Sequence, residues 1–220
     1  MSLMLIINTA VEPFGFSLIL NDRVLVSIKQ SFSRSFSESL LELIDRHCQE
    51  NKLTISEIST IGVVNGPGSY TGIRIGVSYA KSLAMTLGCP IVAISSLEAL
   101  AYQCLVRERL VAIVMPARPT YIYLQLFNYT DEMHPVSELM MISYEQCTAI
   151  FDEFESPLDV YSATKVDGFK SYENPLIHFF SIDIDCSVLG TLINQKIAVS
   201  SETSYQNITL NYVCEPKIGA

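Results

Sequence analysis

The run Asn65–Gly76, NGPGSYTGIRIG, holds four glycines and a proline in twelve positions. An apolar run, Thr60–Val64, leads into it, and a helical pattern over Gly72–Leu87 leads away. That pattern ends at Gly88 and Pro90, as helices do where a left-handed cap is followed by a residue that cannot continue the turn. Strand, glycine turn and helix in this order constrain the chain to an α/β architecture, with the loop at the carboxyl end of a strand.

The loop matches neither common phosphate-binding pattern. A P-loop requires GxxxxGK[ST], and here Gly72 is followed by Ile73-Arg74. The dinucleotide fingerprint GxGxxG maps onto Gly66–Tyr70 but meets Thr71 where the third glycine belongs. Two readings stay open. The helix N-terminus can hold an anion through Gly66, Gly68, Ser69 and Thr71. Alternatively, Gly-Pro-Gly is a tight turn and Ser69 or Thr71 caps the helix. Within the helix, Gly72, Gly76, Ala80 and Ala84 recur every four residues and form a smooth ridge. Such a ridge admits close approach, either of the chain's own sheet and first helix or of another subunit.

Upstream, Leu3–Asn8, Gly15–Leu20 and Val24–Gln30 read as strands, the last two joined by the hairpin pair Asn21-Asp22. A helix follows over Ser37–Cys48, with Leu40, Leu41, Ile44 and Cys48 on one face and Ser35 or Ser37 as cap. Ile61–Asn65 and Ile91–Ser95 are further strands, and Ser95-Ser96-Leu97-Glu98 opens a helix running to about Cys104. The expected organisation is a βββαβαβα domain over 1–107 and a second domain over 108–220. In the second, Leu110–Met115, Tyr121–Asn128 and Leu158–Tyr161 read as strands, and Tyr144–Phe154 and Cys186–Asn194 as helices.

Composition narrows the function classes. The chain is 49% hydrophobic and only 17% charged, as expected of sheets buried on both faces or of an apolar face that meets a partner. Residues 1–110 carry nine Lys/Arg and nine Asp/Glu, whereas residues 111–220 carry five and fourteen, the whole of the net −9. An acidic half is a poor platform for a phosphate backbone, so nucleic acid is expected only through a partner that supplies the basic surface. No apolar run approaches the roughly 18 residues of a membrane span, and six scattered cysteines without a CxxC pair read as reduced thiols. A cytoplasmic location is expected.

The segment Gly66–Gly76 with Ala80 and Leu83-Ala84 closely resembles the signature of the TsaB (YeaZ) family. Leu5–Ala10, Ser95–Leu100 and Ala117-Arg118…Tyr123 resemble further landmarks of that family. The resemblance implies an ASKHA-type fold, that of actin, sugar kinases and Hsp70, with two related subdomains each built on a mixed sheet flanked by helices. It also implies a non-catalytic subunit that pairs with a TsaD-like catalytic paralogue and a TsaE-like ATPase to make N6-threonylcarbamoyladenosine in tRNA. Phe36, Leu40 and Ile44 of the first helix, with Ser69, Tyr70, Gly72, Ile73, Gly76, Ala80 and Ala84 of the loop and second helix, would form the partner face. The same face would pair the chain with itself when alone. No cofactor, metal or catalytic residue is expected in this chain.

Departures bear on mechanism. Phosphate-handling members of the fold carry an aspartate on the first strand, and this chain has Asn8. A neutral amide is a poor magnesium ligand. The acids usual in relatives at Pro116 and Tyr121 are missing, and the C-terminal pattern survives only as Asn211-Tyr212-Val213-Cys214. The alternative is an enzyme of the same fold, an ATP-dependent phosphotransferase or a peptidase. A zinc peptidase would show HxxxH or HExxH, and His47, His134 and His178 lie far apart.

Overall fold

The computed structural model describes residues 2–31, 34–104, 109–130, 133–164, 166–199 and 203–211, with the side chains of 34–38 outside the description. The expectations placed on Ser35, Phe36, Ser37, Arg107 and Tyr212–Cys214 therefore fall outside the described residues. The chain forms two units, one of residues 1–96 and 184–211, the other centred on 97–183. This corrects the expected division at 107/108. The last described stretch belongs with the first unit because its apolar side chains pack there. Ile193 lies where a side chain on Gly62 would project, and a Cβ on Gly190 would stand 3.0 Å from Ile19 Cδ1.

The first unit begins with a meander, β1 (Leu3–Asn8), β2 (Phe14–Leu20) and β3 (Arg23–Gln30). The β2–β3 turn takes positive φ at Asn21 (47°) and Asp22 (65°). That is the geometry of a two-residue hairpin whose twist matches its strands. Helix α1 (Arg34–Glu50) buries Leu40, Ile44 and Cys48, while Leu41 is 51% exposed. Strand β4 (Ile58–Val64) then pairs parallel to β1, and after α2 (Tyr70–Leu87) strand β5 (Ile91–Ile94) pairs parallel to β4. The order is β3-β2-β1-β4-β5. Every residue of β1 is buried, which accounts for its unbroken apolar run.

Helix α3 (Ser96–Ala101) is shorter than expected and is followed by a turn to Cys104. In the second unit β6 (Leu110–Arg118) and β7 (Tyr121–Tyr129) are antiparallel, with a register shift between Pro116 and Arg118. The strand thus runs past Pro116, because the irregularity takes up a residue that cannot donate to a ladder. Two short strands, β8 (Met133–Pro135) and β9 (Met140–Ser143), pair with β7. Helix α4 (Tyr144–Asp152) starts at a capping box: Gln146 N donates to Ser143 Oγ (3.1 Å) and Ser143 N to Gln146 Oε1 (2.9 Å). Strands β10 (Leu158–Ser162) and β11 (Ile177–Ser181) add in parallel, giving β11-β10-β6-β7-β8. The core joins Ala112, Val114, Ile122, Leu124 and Val160 of the sheet to Phe151 of α4. Helix α5 (Gly190–Val199) follows a short 3-10 turn at Cys186–Val188, where one continuous helix over Cys186–Asn194 was expected.

Candidate functional site

The glycine loop is built by close packing against the first strand's end. Asn65 N donates to Ile94 O (3.0 Å), Ser96 N to Gly66 O (2.8 Å) and Asn211 N to Asn65 O (2.9 Å). Gly66 has φ +112°, and a Cβ there would stand 2.8 Å from Asn211 O and from Ile73 Cδ1. Only glycine fits on both counts. Ser69 N donates to Ala10 O (2.8 Å), and a Cβ on Gly68 would run into that same carbonyl. Ser69 caps α2, its Oγ accepting from Gly72 N (3.2 Å). Thr71 lies exposed within the first turn.

The small-residue ridge faces inward. Thr9 Oγ1 donates to Gly72 O (2.7 Å); a Cβ on Gly72 would collide with Thr9 O, and one on Gly76 with Thr9 Oγ1. Gly72, Ile73, Gly76, Ala80 and Ala84 are buried within the chain, as are Leu40 and Ile44 of α1. These seven residues lie in the chain's own interior. Of the expected partner face, Ser69 and Tyr70 are exposed, and the Phe36 side chain lies outside the described residues. The outward face of α2 instead carries Tyr70 (40% exposed), Arg74, Ser78, Ser82 and Met85 (59%). Arg74 Cζ sits 3.9 Å from the Tyr70 ring centroid, a cation–π pair one helical turn apart. The Tyr79 phenol is pushed up to about 12 by burial, then by Cys48 and Asp45. Both neighbours belong to α1.

Asn8 is fully buried and committed to the β1–β2 loop. Its Nδ2 donates to Val11 O (2.8 Å) and Pro13 O (3.1 Å), and its Oδ1 accepts from Ala10 N (3.1 Å) and Val11 N (3.2 Å). Both amide hydrogens and both carbonyl lone pairs are thereby used. The N–H groups of Ser69, Gly72 and Ile73, the last bonded to Ser69 O (2.8 Å), are occupied as well. Those three cannot converge on an anion.

The described thiols are held neutral. Burial pushes Cys48 up to about 11, helped by Asp45 and Glu57, and Cys104, Cys147 and Cys186 up to about 12. A thiol nucleophile requires the opposite shift. Among the described residues no three His, Cys, Asp or Glu side chains cluster as metal ligands, and no helix is long and apolar enough to cross a membrane.

Sequence reasoning missed Thr9, Ala10 and the segment 208–211. Lys81 Nζ reaches Ile208 O (2.9 Å) and Asn65 Nδ2 reaches Thr209 O (3.0 Å), tying the loop and α2 to a stretch more than 120 residues away. No local pattern signals such a contact. The Tyr70–Arg74 pair, in contrast, was readable from its i, i+4 spacing.

The sequence model of the family described as "TsaD: tRNA N6-adenosine threonylcarbamoyltransferase" matches residues 27–207. The tRNA threonylcarbamoyladenosine biosynthesis protein TsaB of Bacillus subtilis (strain 168) is 33% identical over 127 residues, 58% of this chain and 56% of that protein. The chain belongs to the TsaD family, in its TsaB (YeaZ) branch. A second TsaB, from Haemophilus influenzae, is 28% identical over 44% of this chain and 41% of its own length. The chain thus spans about half the length of these curated TsaB relatives. YeaZ from Pseudomonas aeruginosa shares the fold, with a TM-score of 0.79 and 21% identity over 97% of this chain and 100% of that one. The α/β fold expected from the sequence, two sheets flanked by helices, is found here and is the one shared with YeaZ.

Proposed function

We propose that the chain is a non-catalytic assembly subunit for making N6-threonylcarbamoyladenosine in tRNA. It pairs with a TsaD-like catalytic paralogue and a TsaE-like ATPase, meets tRNA only through them, and works in the cytoplasm. The observation that carries this reading is Asn8. The first-strand position that would hold a magnesium-bound water in a phosphotransferase is here fully buried, with all four hydrogen-bonding positions taken up by its own loop. The neutral thiols and the inward-facing ridge point the same way: the loop exists to set α2 against β1. The partner face is then the opposite side of α2, with Tyr70, Arg74 and Met85, continued by Leu41 on α1. The same face serves self-pairing when the chain is alone.

Co-expression with the TsaD-like paralogue of the same organism, followed by size-exclusion chromatography and a tRNA modification assay, tests the reading. Co-elution, with modification that requires both chains, is expected. Separate elution, or ATP hydrolysis by the purified chain that is lost in Asn8→Ala, would overturn it.

A further inference from the structure

The strand β11 ends its sheet. It pairs with β10 alone, and among the described residues no strand or segment pairs with its other side. Four of its five residues are exposed, Phe179 by 43% and Phe180 by 45%. Ile182 N donates to Ser162 O, and Leu158 N to Leu176 O, so even-numbered residues turn their backbone toward β10. Strand alternation then turns the N–H and C=O groups of Phe179 and Ser181 outward. An aromatic edge of this kind, without a lysine or a proline inside the strand, is a template for another strand.

The other unit covers its equivalent. Strand β5 also ends its sheet, as the second of two parallel additions, and its outward Ile91 N donates to Thr203 O (2.9 Å). There the chain's own Thr203 meets the edge. Beside β11 lies instead a cavity of about 330 Å³, at the carboxyl ends of β10 and β11, lined by Ser162, Thr164, Phe169, Lys170, Phe179 and Phe180. This is the end of parallel strands at which ligands enter α/β sheets, and the volume is enough for one large apolar side chain. Phe179 is backed by Phe169 (centroids 5.0 Å apart) and Phe180 by Tyr161 (5.0 Å), so both rings are held from behind.

Charge selects the visitor. Residues 97–183 contain thirteen Asp/Glu against five Lys/Arg. Asp152, Glu153 and Glu173 are exposed near the start of β11 and Asp183 just past its end. Asp152 is placed there by its bonds to Tyr172 (2.8 Å) and Asn174 (3.0 Å).

We propose that β11 is a docking edge for an extended, basic segment of another protein, which adds as an outer strand, bonds the outward groups of Phe179 and Ser181, and sets an apolar side chain into the cavity. Main-chain bonds supply affinity and the pocket supplies specificity. The acidic surround rejects acidic segments and nucleic acid.

The test uses the full chain and two fluorescein-labelled probe peptides, KIKFKIKI and its acidic counterpart EIEFEIEI, read by anisotropy and amide hydrogen exchange. The basic peptide is expected to bind saturably, with the acidic one weaker by about tenfold or more, and to slow exchange at Phe179 and Ser181. Ser181→Pro removes one outward donor, and Phe180→Ala removes one ring; each should weaken binding about tenfold while the unfolding midpoint stays in place. Equal affinity for the two peptides overturns the proposal. So does unaltered binding by the folded Phe180→Ala protein. Slow exchange at these amides in the free chain also overturns it: if independent of concentration, the chain covers its own edge, and if lost on dilution, a second copy does.

Discussion

The two units run the same plan to different ends. Each lays down an antiparallel meander and a helix, then adds two parallel strands on the far side of its first strand. Between those parallel strands the first unit inserts the glycine loop and the 18-residue α2, whereas the second has only residues 163–176 with a 3-10 turn at Asp167–Phe169. The difference lies in how the carboxyl end of the sheet is used. In the first unit Gly68 and Gly72 close it against the backbones of Ala10 and Thr9, and Gly76 against the Thr9 hydroxyl. In the second it stays open over a bed of aromatic rings. One strand order thus supports a sealed junction that aims a helix and, among the described residues, an end strand paired on one side only.

Substitutions at matched points break or sharpen this contrast. The largest effect is expected from Gly76→Leu, which drives a branched side chain into Thr9. Overpacking of a helix–strand contact without slack should cost about 3 kcal/mol or more, read as a lowered denaturant midpoint or insoluble protein. Asn8→Ala comes next. It strands the carbonyls of Val11 and Pro13 and the N–H groups of Ala10 and Val11, a loss of about 2–4 kcal/mol by the usual cost of unpaired buried groups. Equilibrium urea unfolding measures it.

The open unit should be more forgiving. A Cβ at Gly168 meets the Tyr144 ring, its Cγ included, so the half-buried ring must shift as a whole. Gly168→Ala is therefore expected to cost about 1 kcal/mol, checked by the same unfolding curve. A smaller, pH-dependent effect belongs to Asp185. Burial alone would raise its carboxyl, but bonds from the Ser187 hydroxyl and backbone N–H, together with Lys29 (3.1 Å), outweigh burial and leave it lowered. A depressed native value stabilises the fold above the unfolded value of about 3.9 and is lost as pH falls through the native one. The stability gap between the parent chain and Asp185→Asn should be present at pH 7 and close below about pH 4, as measured by thermal unfolding across pH.

Much of the first unit was legible because its signals are local. The apolar run of β2, the Asn21-Asp22 turn, the Ser69 cap and the Gly88 stop each act within a few residues. The second unit was less so. β11 escaped because Ile-His-Phe-Phe-Ser has no clean alternation of apolar and polar residues. The return of α5 to the first unit has no local signature either, since it depends on Gly62 leaving room for Ile193. At the candidate site the spacing of Gly72, Gly76, Ala80 and Ala84 announced a close approach, but spacing alone does not name the neighbour. The Thr9 hydroxyl does.

The central claim is that α2 gives its inner face to β1 and its outer face to a partner. The direct test is the affinity of Arg74→Glu for the TsaD-like paralogue by titration calorimetry, alongside its unfolding midpoint. Arg74 is exposed over Tyr70. The account predicts binding weakened about tenfold or more with the midpoint unchanged. Undiminished binding by this folded variant would contradict it.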